Sequence, residues 1–326
     1  MLRFAQTNPE LTASERVVID KSAPRAAQIL QLICFFGVVI VLAACEFACG
    51  GSGIHPTPAL ANQPTFSHVF LVVEENHSYS DVIGSGSTPY LNNLASQYGL
   101  ATQYFANAHP SMPNYLMLTT GMMETFDDDF SGTISDDNIV RKLVKAGKSW
   151  RAYEESIPSA GYLGPDAPPY VRRHNPFSFL SDVQNSASQA ANIVPFSQFT
   201  SDLANNTLPQ FSFIAPNLND DAHDGTLDAA DSWLQSNIAP LLASSAFRNS
   251  GLLIITFDES ETDDVDDGGG HVATIIVSST SKPSYQSRTL YQHQSTLRLV
   301  LAASGVNSFP GMAGTAPEMT EFFNGQ

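Results

Sequence analysis

The 326-residue chain is 43% hydrophobic and 14% charged, enough apolar material for one large α/β core. Its formal net charge of -17 argues against nucleic acid as a partner, because a phosphate backbone recruits Lys and Arg. All three cysteines, Cys34, Cys45 and Cys49, lie near the N-terminus, which excludes a Cys nucleophile, a Cys zinc site and a disulfide from the body of the chain.

Residues 1–25 are mixed polar and carry Lys21 and Arg25, and residues 26–44 are apolar apart from Gln28 and Gln31. A basic flank, an apolar run and small residues before Cys45 read as an export signal over residues 1–45. The ending Leu42-Ala-Ala-Cys45 resembles the lipobox of bacterial lipoproteins, in which the cysteine carries the lipid. The alternative is an uncleaved membrane anchor, since the run is near the roughly 20 residues that a bilayer requires. Both readings export the body, as an envelope lipoprotein or a secreted protein, and limit membrane contact to the N-terminal lipid or anchor. Residues 46–64, rich in Gly, Pro and Ala, read as a tether, and residues 65–326 as the catalytic domain.

The first strand is expected over residues 66–73, apolar on both faces and therefore central. Tyr90, Leu91, Leu94 and Tyr98 recur at helical spacing and predict a helix over 88–98, capped by Gly99. A short strand is expected over 101–106. Ser111 suits an N-cap, with Pro113 in the first turn of the helix that follows. Further elements are a helix at 139–146, a strand at 150–153, a Pro/Gly-rich loop at 162–176 and a helix at 196–203. Then come strands at 210–215 and 251–257 around a long helix at 227–247, a strand at 272–278 and a last helix at 292–303. The alternation implies an α/β fold, a mainly parallel sheet with helices on both faces.

Polar residues gather just after five apolar runs: Glu74 to His77, His109 to Asn114, Asn217 to Asp224, Asp258 to Glu261, and His271 behind a glycine run. In an open parallel sheet such positions share one edge, where ligands bind. Glu75, Asn76, Asp258 and Glu259 offer hard oxygen ligands for a divalent cation. A lone Asp-Glu pair ends a strand in solvent more often than not; its recurrence beside the other clusters reverses that balance. At a helix N-terminus, Ser111 meets amide groups and a dipole that favour an anion, as a nucleophile or as a plain cap. Asn114, one turn on, either donates to a phosphate oxygen or braces the loop. His109, His174, His223 and His271 are imidazoles that bind metal, donate to phosphate or protonate a leaving alkoxide, although a lone loop histidine is usually structural. His77 either supports the metal ligands from behind or is merely close to a helix, and His55 and His293, without polar company, have no assigned role. The acidic run Glu261 to Asp267 is a solvated face or holds a second cation. The stretch Asp127 to Asn138 nearly matches a calcium-binding EF-hand loop, but Asn138 replaces its bidentate carboxylate, so it reads as an acidic surface loop.

Six segments in order resemble the phosphoesterase family of acid phosphatases and phospholipases C, in the alkaline phosphatase superfamily. They are Glu74-Glu-Asn-His-Ser78, His109-Pro-Ser-Met-Pro-Asn-Tyr115, Arg173-His-Asn-Pro176, Asn217 to Asp224, Phe257-Asp-Glu259 and Gly269-Gly-His271. The resemblance implies a Rossmann-type core and a metal-dependent phosphoenzyme mechanism. It implies Glu75, Asn76, Ser111, Asp258 and Glu259 as ligands of one divalent metal ion, with Ser111 the nucleophile. His109, His174, His223 and His271 would surround the phosphate, and His271 would protonate the leaving group. The segments are closer to secreted bacterial and fungal acid phosphatases than to phospholipases C. The expected substrate is therefore a phosphomonoester, on a phosphorylated small molecule or a lipid head group. The alternatives are a phospholipase C-type diesterase, a phosphoinositide phosphatase, or a non-catalytic envelope binding module.

Overall fold

The computed structural model describes residues 63–324. The export signal with Cys45 and the body of the tether lie outside the described residues. Among the described residues, no helix is long and apolar enough to cross a membrane.

Eight strands form one sheet in the order β4-β3-β5-β1-β6-β7-β2-β8. Their ranges are β1 His68–Glu74, β2 Gly99–Ala101, β3 Trp150–Glu154, β4 Ile193–Pro195, β5 Phe211–Ala215, β6 Gly251–Phe257, β7 Thr274–Ser278 and β8 Tyr285–Ser287. The run β4-β3-β5-β1-β6 is parallel, as expected from strands apolar on both faces. Six residues of β1 and all seven of β6 are buried. β7 departs from the pattern and lies antiparallel to both β6 and β2. The chain returns from β6 to β7 through a loop rather than a crossover helix, and only antiparallel neighbours can be joined that way.

The register of the two central strands decides where the chemistry falls. Val73 pairs with Thr256 and Glu74 with Phe257, and the Asp258 amide donates to the Glu74 carbonyl at 2.9 Å. The Glu75-Asn76 and Asp258-Glu259 segments therefore leave the sheet side by side.

The helix Ser111–Thr120 is buried at all ten positions and ends at Gly121, whose φ of 73° is the left-handed conformation that terminates helices. Pro110, not Ser111, occupies the cap, so Ser111 is the first helical residue. The helix Pro89–Gln97 starts with proline at its first position, and Gly99 opens β2 instead of capping it. A Cβ on Gly99 would strike the Phe322 ring, which explains the glycine there. The strand expected over 101–106 begins two residues earlier as β2, and its remainder makes isolated bridges from Tyr104 to Tyr291 and from Phe105 to His271. The helix expected over 227–247 breaks at Ser244, whose hydroxyl caps a second helix, Ser245–Ser250, through the Phe247 amide. In the acidic stretch, Asn138 is a helix cap: its side chain accepts from the Arg141 amide at 3.0 Å. That role replaces the twelfth ligand of a calcium loop.

Candidate active site

The centre of the site is the Ser111 hydroxyl. Its Oγ lies 3.4 Å from Glu75 Oε2 and 3.3 Å from Glu259 Oε1, so residues 36 and 148 positions away in the chain meet at one atom. Asp258 is fully buried beside them, and its Oδ1 accepts from the Asn76 amide at 3.2 Å. Asn76 adopts a φ of 49°, a left-handed conformation that Asn tolerates better than most residues, and this turns the chain sharply off the end of β1. Glu75, Ser111 and Glu259 thus meet, with Asp258 and the Asn76 backbone amide beside them.

The electrostatics of this cluster are unfavourable as it stands. Burial, then the neighbouring Asp258 and Asp221 charges, push the Glu75 carboxyl well above the ordinary carboxylate range. Burial and Glu259 do the same to Asp258. Burial raises Glu259 to about 8 and Asp221 to about 7. Among the described residues, Asn76 Oδ1 and Asp258 Oδ2 are buried without a hydrogen-bond partner. Four carboxyl groups packed together with unused buried oxygens form a set of hard donors that fits a divalent cation. The buried group whose ligand atoms all lie within 4.8 Å of one another is Glu75 with His174 and Asp221.

The histidines separate by what their rings touch. His109 Nε2 lies 2.8 Å from the Asp264 carbonyl, which can only accept, so this nitrogen carries a proton; Nδ1 lies 2.7 Å from Glu259 Oε2. His174 is buried, with Nε2 3.4 Å from Glu75 Oε2 and Nδ1 3.3 Å from Asp221 Oδ2, and its ring stacks on Tyr115. Burial and then the nearby Arg173 charge hold its pKa well below the usual histidine value. Tyr115 donates a short hydrogen bond to Glu75 Oε1. His223 receives a hydrogen bond at Nε2 from Arg173 at 3.3 Å, so its Nδ1 holds the proton that reaches Asp224 at 2.9 Å. His271 is sandwiched between Tyr79 and Phe105, and its backbone amide is held by Asp264. Its Nε2 has no partner among the described residues.

Of the two roles open to Asn114, its hydrogen bonds are those of the brace. Its amide nitrogen donates to the Ala108 and Pro110 carbonyls, and its oxygen accepts from the Asn107 and Ala108 amides. Every polar atom of the side chain is spent on shaping the loop that delivers His109 and Ser111.

Three contributors escaped the sequence. Asp221 sits in the flagged 217–224 cluster, but His223 drew attention because imidazoles are rarer. His293, read as isolated, is buried and donates from Nε2 to the Asp258 carbonyl at 2.6 Å, which anchors the end of β6. Asp128, assigned to a surface loop, accepts from the Met112 amide at 3.1 Å, immediately beside the nucleophile candidate. His77, Asp81 and Glu261 also bring ligand atoms within 4.8 Å of one another, at the surface.

Residues 85–307 match the model of the Phosphoesterase family. The chain is 39% identical over 206 residues to a probable acid phosphatase of Kluyveromyces lactis, covering 60% of this chain and 48% of that protein. It is 33% identical over 294 residues to a phosphatidylinositol-3-phosphatase of Mycobacterium tuberculosis, covering 88% of this chain and 93% of that protein. The chain therefore spans about half the length of the yeast relative but nearly all of the mycobacterial one. A solved alkaline phosphatase superfamily protein from Vibrio parahaemolyticus shares the fold at a TM-score of 0.56 and 14% identity, over 78% of this chain and 71% of that one. The lipoteichoic acid synthase LtaP of Listeria monocytogenes does so at 0.58 and 10%, over 81% and 78%. With the fold, the convergent clusters and these matches together, the chain belongs to the Phosphoesterase family.

Proposed function

We propose that this protein hydrolyses phosphate monoesters, as an acid phosphatase does, through a phosphoserine formed on Ser111. The observation that carries the reading is the Ser111 hydroxyl set within 3.4 Å of both Glu75 and Glu259, at the start of a buried helix. Glu75, Asn76, Ser111, Asp258 and Glu259 are the residues that would hold one divalent cation. Once bound, the cation offsets their charge, lowers the pKa of the serine hydroxyl and polarises a phosphoryl oxygen.

Glu75 and Glu259 accept from the hydroxyl and so orient it. As its hydroxyl proton passes to Glu259, 3.3 Å away, Ser111 Oγ attacks phosphorus, the bond from phosphorus to the ester oxygen breaks, and the departing alkoxide takes a proton from a protonated imidazole. His271 is our choice for that proton, because its Nε2 is uncommitted whereas His109 and His223 are engaged at both ring nitrogens. His174 stays neutral and is suited to holding the phosphoryl group through a hydrogen bond. Water then attacks the phosphoserine and gives a proton to the same imidazole, the bond from phosphorus to Ser111 Oγ breaks, and the serine oxygen takes back the proton held by Glu259 as phosphate departs.

A phosphoinositide phosphatase is the second reading, favoured by the 93% coverage of the mycobacterial relative. Export through residues 1–45, with lipidation at Cys45, belongs to the proposal as well. The test is a panel of aryl, sugar and phosphoinositide monoesters and phosphatidylcholine, run on metal-stripped protein with single divalent ions added back. Monoester turnover that vanishes in Ser111→Ala supports the reading. Release of diacylglycerol from phosphatidylcholine without monoester turnover replaces it with a diesterase. Metal binding without any turnover replaces it with a binding module.

A further inference from the structure

The acidic stretch that the sequence set aside forms one wall of a cavity of about 440 Å³, within the size range of small-molecule sites. Asp128, Asp129 and Phe130 face Asp166, Arg172 and Arg173 across it. Two wall residues also touch the candidate active site. Asp128 Oδ1 holds the Met112 amide at 3.1 Å, next to Ser111, and Arg173 reaches His223 Nε2 at 3.3 Å beside His174. A phosphoryl group at Ser111 would thus have this cavity next to it.

We propose that this cavity receives the alcohol portion of the substrate and is built for a polyhydroxylated ring, a sugar or cyclitol carrying a single phosphate. This rests on the phosphomonoesterase reading and names its substrate class. The polar groups that the lining leaves free favour such a ring. The Arg172 guanidinium is committed to the Ser178 hydroxyl and carbonyl and lies over the Phe179 ring, 4.3 Å from its centroid. Arg173 spends one N–H on His223 and keeps its other donors free among the described residues. Asp166 Oδ1 accepts from the Arg172 amide, and Asp128 Oδ1 from Met112, which leaves each carboxylate a second oxygen. The Asp129 side chain, exposed at the mouth, makes no hydrogen bond among the described residues.

The cavity therefore presents free carboxylate oxygens beside free guanidinium N–H groups, and the hydroxyls of a polyol, each both donor and acceptor, pair with both. Three carboxylates against two guanidinium groups repel a second phosphate on the leaving group. An acyl chain would leave the acids without partners. Phe130 supplies an apolar face for the C–H side of a ring.

The experiment compares kcat/KM of the metal-loaded protein for a cyclitol monophosphate, a sugar monophosphate, a sugar bisphosphate and p-nitrophenyl phosphate. It then repeats the series with Asp129→Ala and Asp166→Asn. The expected result is a preference for the polyol monophosphates, and a ratio to p-nitrophenyl phosphate that falls about 10-fold in each variant, the size of a lost hydroxyl contact. That loss should lie in KM rather than in kcat, since these contacts hold the ground state and transition state alike. Wild-type turnover with equal efficiency on all four, or a ratio unmoved by both variants, overturns the subsite and leaves the phosphatase reading standing. No turnover of any monoester overturns the phosphatase reading itself.

Discussion

Two kinds of carboxylate environment occur in this protein. Asp202 accepts from Arg151, from Tyr153 at 2.8 Å, from Gln198 at 2.9 Å and from Thr207 at 3.0 Å. Burial pushes its pKa up, but those donors outweigh burial and hold the carboxyl below the usual range. Glu321 is treated alike by Ser287, Tyr291 and Tyr285. At the Ser111 cluster the same chemical group is enclosed more deeply, Asp258 Oδ2 has no donor, and Glu75 faces other acids. Depth of burial and the supply of donors together separate the two. A satisfied carboxylate serves the fold, whereas a cluster of unsatisfied ones costs stability, in keeping with the proposed cation site.

The largest effect that sharpens this contrast is the loss of the nucleophile. Ser111→Ala should lower kcat on a phosphomonoester by at least about 10³-fold, in keeping with the removal of an attacking hydroxyl. Its thermal unfolding should stay close to wild type, since a buried hydroxyl is exchanged for a methyl-sized group. Steady-state kinetics and calorimetry on the same preparation check both halves.

Chelation comes next. Removing divalent ions should abolish most of the activity and lower the unfolding temperature. A ligand held at 100 times its Kd stabilises by about 2.7 kcal/mol. Restoration of both by a single type of divalent ion would match the reading. Full activity and an unchanged transition after exhaustive chelation would remove the distinction drawn above.

A pair of substitutions then tests the two sites in opposite directions. Asp202→Asn should destabilise the protein by about 2–3 kcal/mol, because it breaks a donor network and leaves Arg151 without its partner. Asp258→Asn, measured in metal-free protein, should instead raise stability by roughly 1 kcal/mol, because it removes one of several repelling charges. Denaturant melts of the two variants decide it; destabilisation of equal size in both would show that the clusters do not differ in kind.

The smallest effect concerns Glu154, a third case at the end of β3. Burial alone raises its pKa well above the ordinary value, and Oε1 has no partner among the described residues. Below the unfolded-state pKa, near 4.3, both states hold the proton, so Glu154 costs nothing. As pH rises through that value and on through the higher folded pKa, the unfolded chain releases its proton more readily and stability falls. Glu154→Gln should therefore leave stability at about pH 4 almost unchanged and raise it at pH 7 by on the order of 1 kcal/mol. Melts across that range show whether the slope flattens as expected.

The sequence carried much of this because the chemistry sits where apolar runs stop. Glu75 and Asp258 follow strands with no polar interruption, so the sheet edge they share could be inferred before the register of β1 and β6 was seen. Ser111 was legible through the helix it opens. What could not be read was any contact that depends on a side chain crossing the fold. His293 reaches Asp258 from a helix 35 residues on, and Asp128 arrives from a loop whose composition alone suggested a solvated face. Asn114 stayed open for a related reason: an amide one turn from a nucleophile suits a ligand and a loop brace equally, until its four hydrogen bonds are counted. The antiparallel β7 was hidden because a buried strand reads the same in either direction.

The most direct test of the central claim is anomalous diffraction from crystals grown with manganese or zinc. The account predicts one peak bounded by Glu75, Asn76, Ser111, Asp258 and Glu259, at bonding distance from the Ser111 oxygen. A metal bound only elsewhere, with those carboxylates still facing one another and no ion between them, would contradict it.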